Sequence, residues 1–217
     1  GNARSGTTML HRLMTIDEDT FSGMKLYEST FNNVSIQRGF QALGRLDDKL
    51  PLHPMQAAID QLNAVMFDGW DGIHKLGIDQ HEEDEATWAM GMNSITINLL
   101  VPYTDELNSM RFFDHIDADY RARFMDFYEA SIKRHLFATA PTKRFINKNV
   151  FFTPRVRSVV ERMPDARFLY LVRDPAEALP SFLSMWWEKW VSHTPEIQKD
   201  GPEAKQLVQL AYDYYDY

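Results

Sequence analysis

Three observations predict an α/β protein of three layers, with a central parallel sheet and a largely helical middle insertion. The second half of the chain alternates short apolar runs of strand length with stretches of helix length. Strand–helix–strand–helix at that spacing places the strands in parallel, with ligands at their carboxyl ends. At the start, a turn bounded by Gly1 and Gly6 runs straight into an apolar-periodic stretch, the pattern of a loop that presents backbone N–H groups at a helix N-terminus. Between these ends lie helical patterns and few strand-like runs.

Met9, Leu10, Leu13 and Met14 give a first helix over 7–14. Residues 17–23 are polar and turn-like, and 25–28 read as a short strand end. Met55, Ala58, Ile59, Leu62, Val65 and Met66 share a helical face over 54–67. Three glycines make 69–77 a loop. Residues 86–100 are helical in pattern, though Ile95-Thr96-Ile97 is β-branched and weakens that reading. The clearest helix is 118–137, where Tyr120, Phe124, Phe127, Tyr128, Ile132 and Leu136 form a core-facing stripe. A short strand follows at 144–147. Helix 154–163 has Thr153 as its N-cap and Pro154 in its first turn. The run RFLYLV, 167–172, reads as a buried strand. Pro175 opens a helix over 175–190 behind Asp174, with Pro180 inside it and Trp186, Trp187 and Trp190 as core or pocket lining. The last helix pattern is 206–217.

The chain has 217 residues and a net charge of −8, from 23 basic and 31 acidic side chains. That length suits one domain, 1–217. The acidic balance argues against nucleic acid as a partner, since non-specific binding needs a basic field. No run has the ~18–20 apolar residues of a membrane span. With no cysteine, disulfides, thiolate metal sites and cysteine nucleophiles are excluded. The glycine turn opens without the strand that such a turn follows. The chain is therefore expected to be truncated at both ends, with a strand before Gly1 and further chain after Tyr217. An address segment before Gly1 stays open for the same reason. The expected location is cytoplasmic.

Two motifs carry the chemistry. Gly1, Gly6 and Thr7-Thr8 keep the spacing of a Walker A loop, but Thr7 stands where the lysine belongs. Arg4, Ser5, Gly6, Thr7 and Thr8 still supply a cation, hydroxyls and backbone donors for a phosphate-like oxyanion. The absent lysine normally bridges the outer phosphates of a triphosphate, so a donor with less charge at the reacting group is indicated. In the second motif, Arg173 follows the expected strand and Ser181 lies eight residues on, along the next helix. The arginine fork suits a second phosphate.

Read together, GNARSGTT and PDARFLYLVRDPAEALPS resemble the sulfotransferase superfamily, in its bacterial-type branch. INKN, 146–149, resembles its lysine-containing strand. The resemblance implies a P-loop-like fold and transfer of a sulfuryl group from 3′-phosphoadenosine 5′-phosphosulfate (PAPS) to a hydroxyl or amine, with PAP as product and no metal. It implies that Arg4, Ser5, Gly6, Thr7 and Thr8 hold the 5′-phosphosulfate and that Arg173 and Ser181 hold the 3′-phosphate. The acceptor would be a small molecule, glycan or lipid, bound by the helical region 39–140. Lys148 would stabilise charge on the bridging oxygen.

For the general base, the histidine that one branch carries two residues after the strand lysine is Val150 here. Glu28 is the first candidate, with a lowered pKa expected from a nearby cationic cradle. The second is the cluster His81, Glu82 and Glu83. His11 reads as a packed helix residue. The competing functions are a P-loop kinase or NTPase and a non-catalytic nucleotide-binding module.

Overall fold

The structure of the chain is a computed structural model and describes residues 3–68, 76–102 and 112–217. Its elements in order are α1 (Thr7–Thr15), β1 (Phe21–Ser22), α2 (Leu26–Thr30), α3 (Val34–Asp47), α4 (Pro54–Met66), α5 (Glu85–Met90), α6 (Ile97–Leu100), α7 (Ala118–Thr139), β2 (Arg144–Phe145), α8 (Val156–Arg162), α9 (Pro175–His193) and α10 (Pro202–Asp216). The chain divides into two compact units: Gly1–Leu10, Trp88–Phe127 and Asn149–Tyr217 form one, His11–Thr87 and Tyr128–Lys148 the other.

In the first unit the core is aromatic. Trp186 and Trp190, one turn apart on α9, are fully buried with Phe151, Leu207, Leu210 and Tyr214. The Trp190 indole N–H donates to the Asn98 carbonyl at 2.6 Å, which satisfies its polar end inside the core. A second cluster surrounds Trp88, with Phe113, Phe124 and Phe152 at its edges. The Arg155 guanidinium lies 4.3 Å over its face and donates to the Asn93 carbonyl. Helix α9 starts where expected because Asp174 accepts the Ala176 N–H and Pro175 occupies the first turn.

In the second unit β1 and β2 pair in parallel, Phe21 opposite Arg144 and Ser22 opposite Phe145. Helix α3 is capped by Asn33, whose side chain accepts from Ser35 and Ile36 N–H. Helix α4 is capped by Asp47, the last residue of α3, which accepts from Met55 and Gln56 N–H at 2.7 and 3.1 Å. The two helices pack on each other, and Leu43, Leu46, Leu62 and Val65 remain exposed. Among the described residues the interior of this unit is more polar than apolar: Glu28, Ser29, Gln37, Asp84, Ser131 and His135 are buried alongside Met24, Tyr128 and Ile132.

The structure corrects several expectations. The one sheet among the described residues is parallel, as expected, but has two strands of two residues. Residues 167–172 pair with no described segment, and Phe168, Leu169, Tyr170 and Val172 stand exposed. A strand needs a neighbour to take its N–H and C=O groups, and apolar composition alone does not supply one. Residues 25–28 turn into α2 because the Glu28 carboxylate folds back onto the Lys25 N–H at 2.8 Å. Phe21–Ser22, expected within a turn, form β1. The 86–100 stretch breaks into α5 and α6 around Met92, whose φ is +55°. Thr153–Arg155 is a 3₁₀ turn and Thr153 makes no cap. Helix α3 was not foreseen. The 69–77 loop lies mostly outside the described residues.

Candidate functional site

Arg4 has φ +66° and Gly6 φ +80°, so the loop passes twice through the left-handed region before α1 begins at Thr7. Turns of this kind aim successive N–H groups to one side, and the α1 N-terminus adds its partial positive charge. Gly6 takes this conformation freely, whereas a side chain at Arg4 costs about 1–2 kcal/mol. Two contacts hold Arg4 there. Its Nε donates to Ser181 Oγ at 2.9 Å, and its carbonyl accepts from Arg173 Nη1 at 2.7 Å. Arg173 lies just before α9 and Ser181 two turns along it, so one helix delivers both. Arg173 Nε donates to Glu177 Oε2 at 3.1 Å, one turn on. Thr7 is buried, Ser5 and Thr8 are half-buried and Gly6 is exposed. The arrangement gathers two guanidinium groups, hydroxyls and backbone donors, a set suited to an oxyanion with more than one charged group.

The remaining candidates lie in the second unit. Glu28 is 5% exposed. Its Oε2 accepts from Lys25 N–H and its Oε1 from the Tyr27 hydroxyl at 3.1 Å. Burial nevertheless raises its pKa, outweighing those bonds. This overturns the expected lowering, because desolvation of the charge is the larger effect here.

His81 bridges Lys25 through the backbone. Its Nδ1 and the Nε2 of His11 are buried without hydrogen-bond partners. Both rings lie over Gly23: a Cβ placed there would meet His11 Nε2 at 3.3 Å and His81 Nδ1 at 3.4 Å. Burial, followed by the charge of Lys148, lowers the His11 pKa to about 4. His11 is packed, as expected. Glu82 is buried. Glu83 pairs with Lys148, a nearly buried ammonium. Burial raises the Glu83 pKa, opposed by Lys148.

Two residues that sequence reasoning missed join Glu28. His135 on α7 is 1% exposed, with Nε2 at 3.0 Å from Ser22 Oγ and Nδ1 at 3.6 Å from Glu28 Oε2. Burial lowers its pKa to about 4. A signal for it was present: His135 falls three residues after Ile132 and seven after Tyr128, on the apolar stripe of the clearest helix.

No curated protein and no solved structure matches the chain. A family model does. It is described as the sulfotransferase family and spans residues 1–216, taking in the loop at Arg4, the Arg173–Ser181 element and everything between them. Over that extent the match is to the chain as a whole, not to one motif, and the chain belongs to the sulfotransferase family.

Proposed function

We propose that the protein transfers a sulfuryl group from PAPS to a hydroxyl or amine acceptor by in-line displacement. The acceptor atom attacks sulfur. The bond from sulfur to the bridging oxygen breaks, that oxygen keeps the electron pair, and 3′,5′-ADP leaves. The acceptor's proton goes to a general base. Arg4, Ser5, Gly6, Thr7 and Thr8 would hold the 5′-phosphosulfate, and Arg173 and Ser181 the 3′-phosphate. Glu28, His81 and Glu82 are the candidates for the base, and Lys148 for charge stabilisation at the bridging oxygen. The exposed apolar side chains of α3 and α4 favour a partly apolar acceptor.

The observation that carries this reading is the meeting of Arg173 and Ser181 on Arg4, across 169 and 177 positions of sequence. An arginine and a serine recruited from a distant helix onto an anion-type loop favour a ligand with two anionic ends. A triphosphate needs instead a lysine, and that position holds Thr7.

Calorimetric titration tests it, with 3′,5′-ADP, 5′-ADP and Mg·ATP as ligands. Selective binding of 3′,5′-ADP is expected. In Arg173→Ala that affinity falls at least about tenfold, since a charge-assisted bond contributes ~1.5–3 kcal/mol. Preference for Mg·ATP would return the protein to the kinase or NTPase reading. Binding without any transfer would leave a nucleotide-binding module.

A further inference from the structure

We propose that Tyr27 is a positioning residue for the general base, its hydroxyl holding the Glu28 carboxylate in place and keeping it ionised. The inference rests on the sulfotransfer reading above, with Glu28 itself as the group that takes the acceptor's proton, and deepens it.

Glu28 is the third residue of α2. Its Oε2 reaches back to the Lys25 N–H at 2.8 Å, closing the first turn as an acid at this position does. That cap uses one oxygen. It explains neither the 5% exposure of Glu28 nor the donor on the other oxygen, the Tyr27 hydroxyl at 3.1 Å from Oε1. Taking a carboxylate out of water disfavours its charged form, and a carboxylate has to be charged to accept a proton. A hydrogen bond to the charged form works the other way, and Tyr27 supplies that bond from a side chain. Each carboxylate oxygen keeps a second lone pair for the incoming proton.

Three contacts fix the pair, all within the second unit. The Tyr27 ring packs against Phe40 of α3, with centroids 5.3 Å apart. The Tyr27 N–H donates to the Ile78 carbonyl at 2.9 Å. Gln37, fully buried, donates from Nε2 to the Glu28 carbonyl at 3.1 Å. Ring and backbone are thus held from separate elements, and the hydroxyl is preorganised on Oε1. Burial, and then the charge of Glu28, raises the Tyr27 pKa, so the phenol remains a donor. In the step, the acceptor's O–H bond breaks as its oxygen attacks sulfur, and the proton passes to the Glu28 carboxylate. Tyr27 gives up no proton. It keeps the carboxylate charged at a pH where burial alone would protonate it.

The test is Tyr27→Phe in the full chain, which removes the hydroxyl and keeps the ring on Phe40. Carboxyl ¹³C NMR of glutamate-labelled protein follows the titration of Glu28, with Glu28→Gln identifying its resonance. The midpoint should rise in Tyr27→Phe, because the charged form loses the stronger hydrogen bond. Lys25, His81 and His135 also face the carboxylate. They are common to both proteins, so the difference between the two titrations reports the hydroxyl. With PAPS and 2-phenylethanol or 4-nitrophenol, kcat/KM is followed from about pH 5 to about pH 9, where its acid limb reports the base of the free enzyme. For the alcohol, Tyr27→Phe should be about tenfold slower at the acid end and converge on wild type at the alkaline end. In a Glu28→Gln background, Tyr27→Phe should have no further effect, since it acts through that carboxylate.

An unmoved Glu28 midpoint overturns the proposal. So does a Tyr27→Phe rate lowered equally at every pH, which would make Tyr27 a structural residue only. Wild-type activity in Glu28→Gln would put the base elsewhere and remove the role of Tyr27 while sulfotransfer stands. Failure of the wild type to transfer from PAPS to either acceptor would remove the sulfotransfer reading and the base with it.

Discussion

Glu177 occupies the Arg173 fork that the proposed 3′-phosphate would need. The pair is exposed and spans one helical turn, with Nε to Oε2 at 3.1 Å. A contact of this kind contributes little to stability, yet it competes directly with an incoming anion. Glu177→Gln should therefore tighten 3′,5′-ADP binding by a few-fold in dilute buffer. The gain should shrink at about 1 M salt, where the Debye length is about 3 Å. Calorimetry at the two ionic strengths checks this, and unchanged affinity in dilute buffer would exclude Glu177 as a competitor. The anion-loop residues were legible in sequence because glycine spacing and hydroxyl residues report a local backbone shape. The contact between Arg173 and the Arg4 carbonyl was not, because it depends on where α9 arrives. The shift of Glu28 was misjudged for a related reason. A neighbouring charge can be guessed from composition, whereas burial at 5% exposure belongs to the fold.

At the scale of elements, helices were readable where apolar periodicity and a local cap agreed. Helix α9 has both, in its tryptophan spacing and in Asp174-Pro175. Helix α8 shows what a local reading misses. Thr153 looked like its cap, but the role falls to Asp114, more than forty positions earlier. The Asp114 carboxylate accepts from Arg157 N–H at 3.0 Å, from Ser158 N–H at 2.9 Å and from the Ser158 hydroxyl. It is 3% exposed and Ser158 is 2% exposed. Removing it would strip a cap, worth ~0.5–2 kcal/mol, and leave buried donors unsatisfied at ~1–3 kcal/mol. Asp114→Ala should thus destabilise the protein by about 3 kcal/mol in urea denaturation. Asp114→Asn, which keeps one acceptor oxygen, should fall between it and wild type. A loss below about 0.5 kcal/mol in the alanine variant, the range of ordinary surface changes, would show that α8 does not depend on this cap.

Across the whole molecule, the parallel sheet was the least legible feature. The alternation of patterns in the second half is real, and α8 and α9 follow it. Pairing, though, is a property of two segments, and 167–172 carries the composition of a strand without a described partner. The polar interior of the second unit was also invisible, and it makes a prediction of its own. His11 and His135 are held neutral, their pKa values lowered to about 4 from 6.5. Between those values the unfolded chain binds more protons than the folded one, so stability falls as pH falls from about 6.5 to about 4. At ~1.4 kcal/mol per unit, each histidine accounts for roughly 3 kcal/mol. Glu28 and Glu83 act in the opposite sense. Burial raises their folded pKa values above the ordinary carboxylate value, so they are easier to bury once protonated, and they gain stability over part of the same descent. With the histidines dominant, urea midpoints should drop between pH 6.5 and 4.5. In Glu28→Gln, which removes one opposing contribution, the drop should steepen. A midpoint that stays flat in both proteins would mean that neither ring is buried neutral.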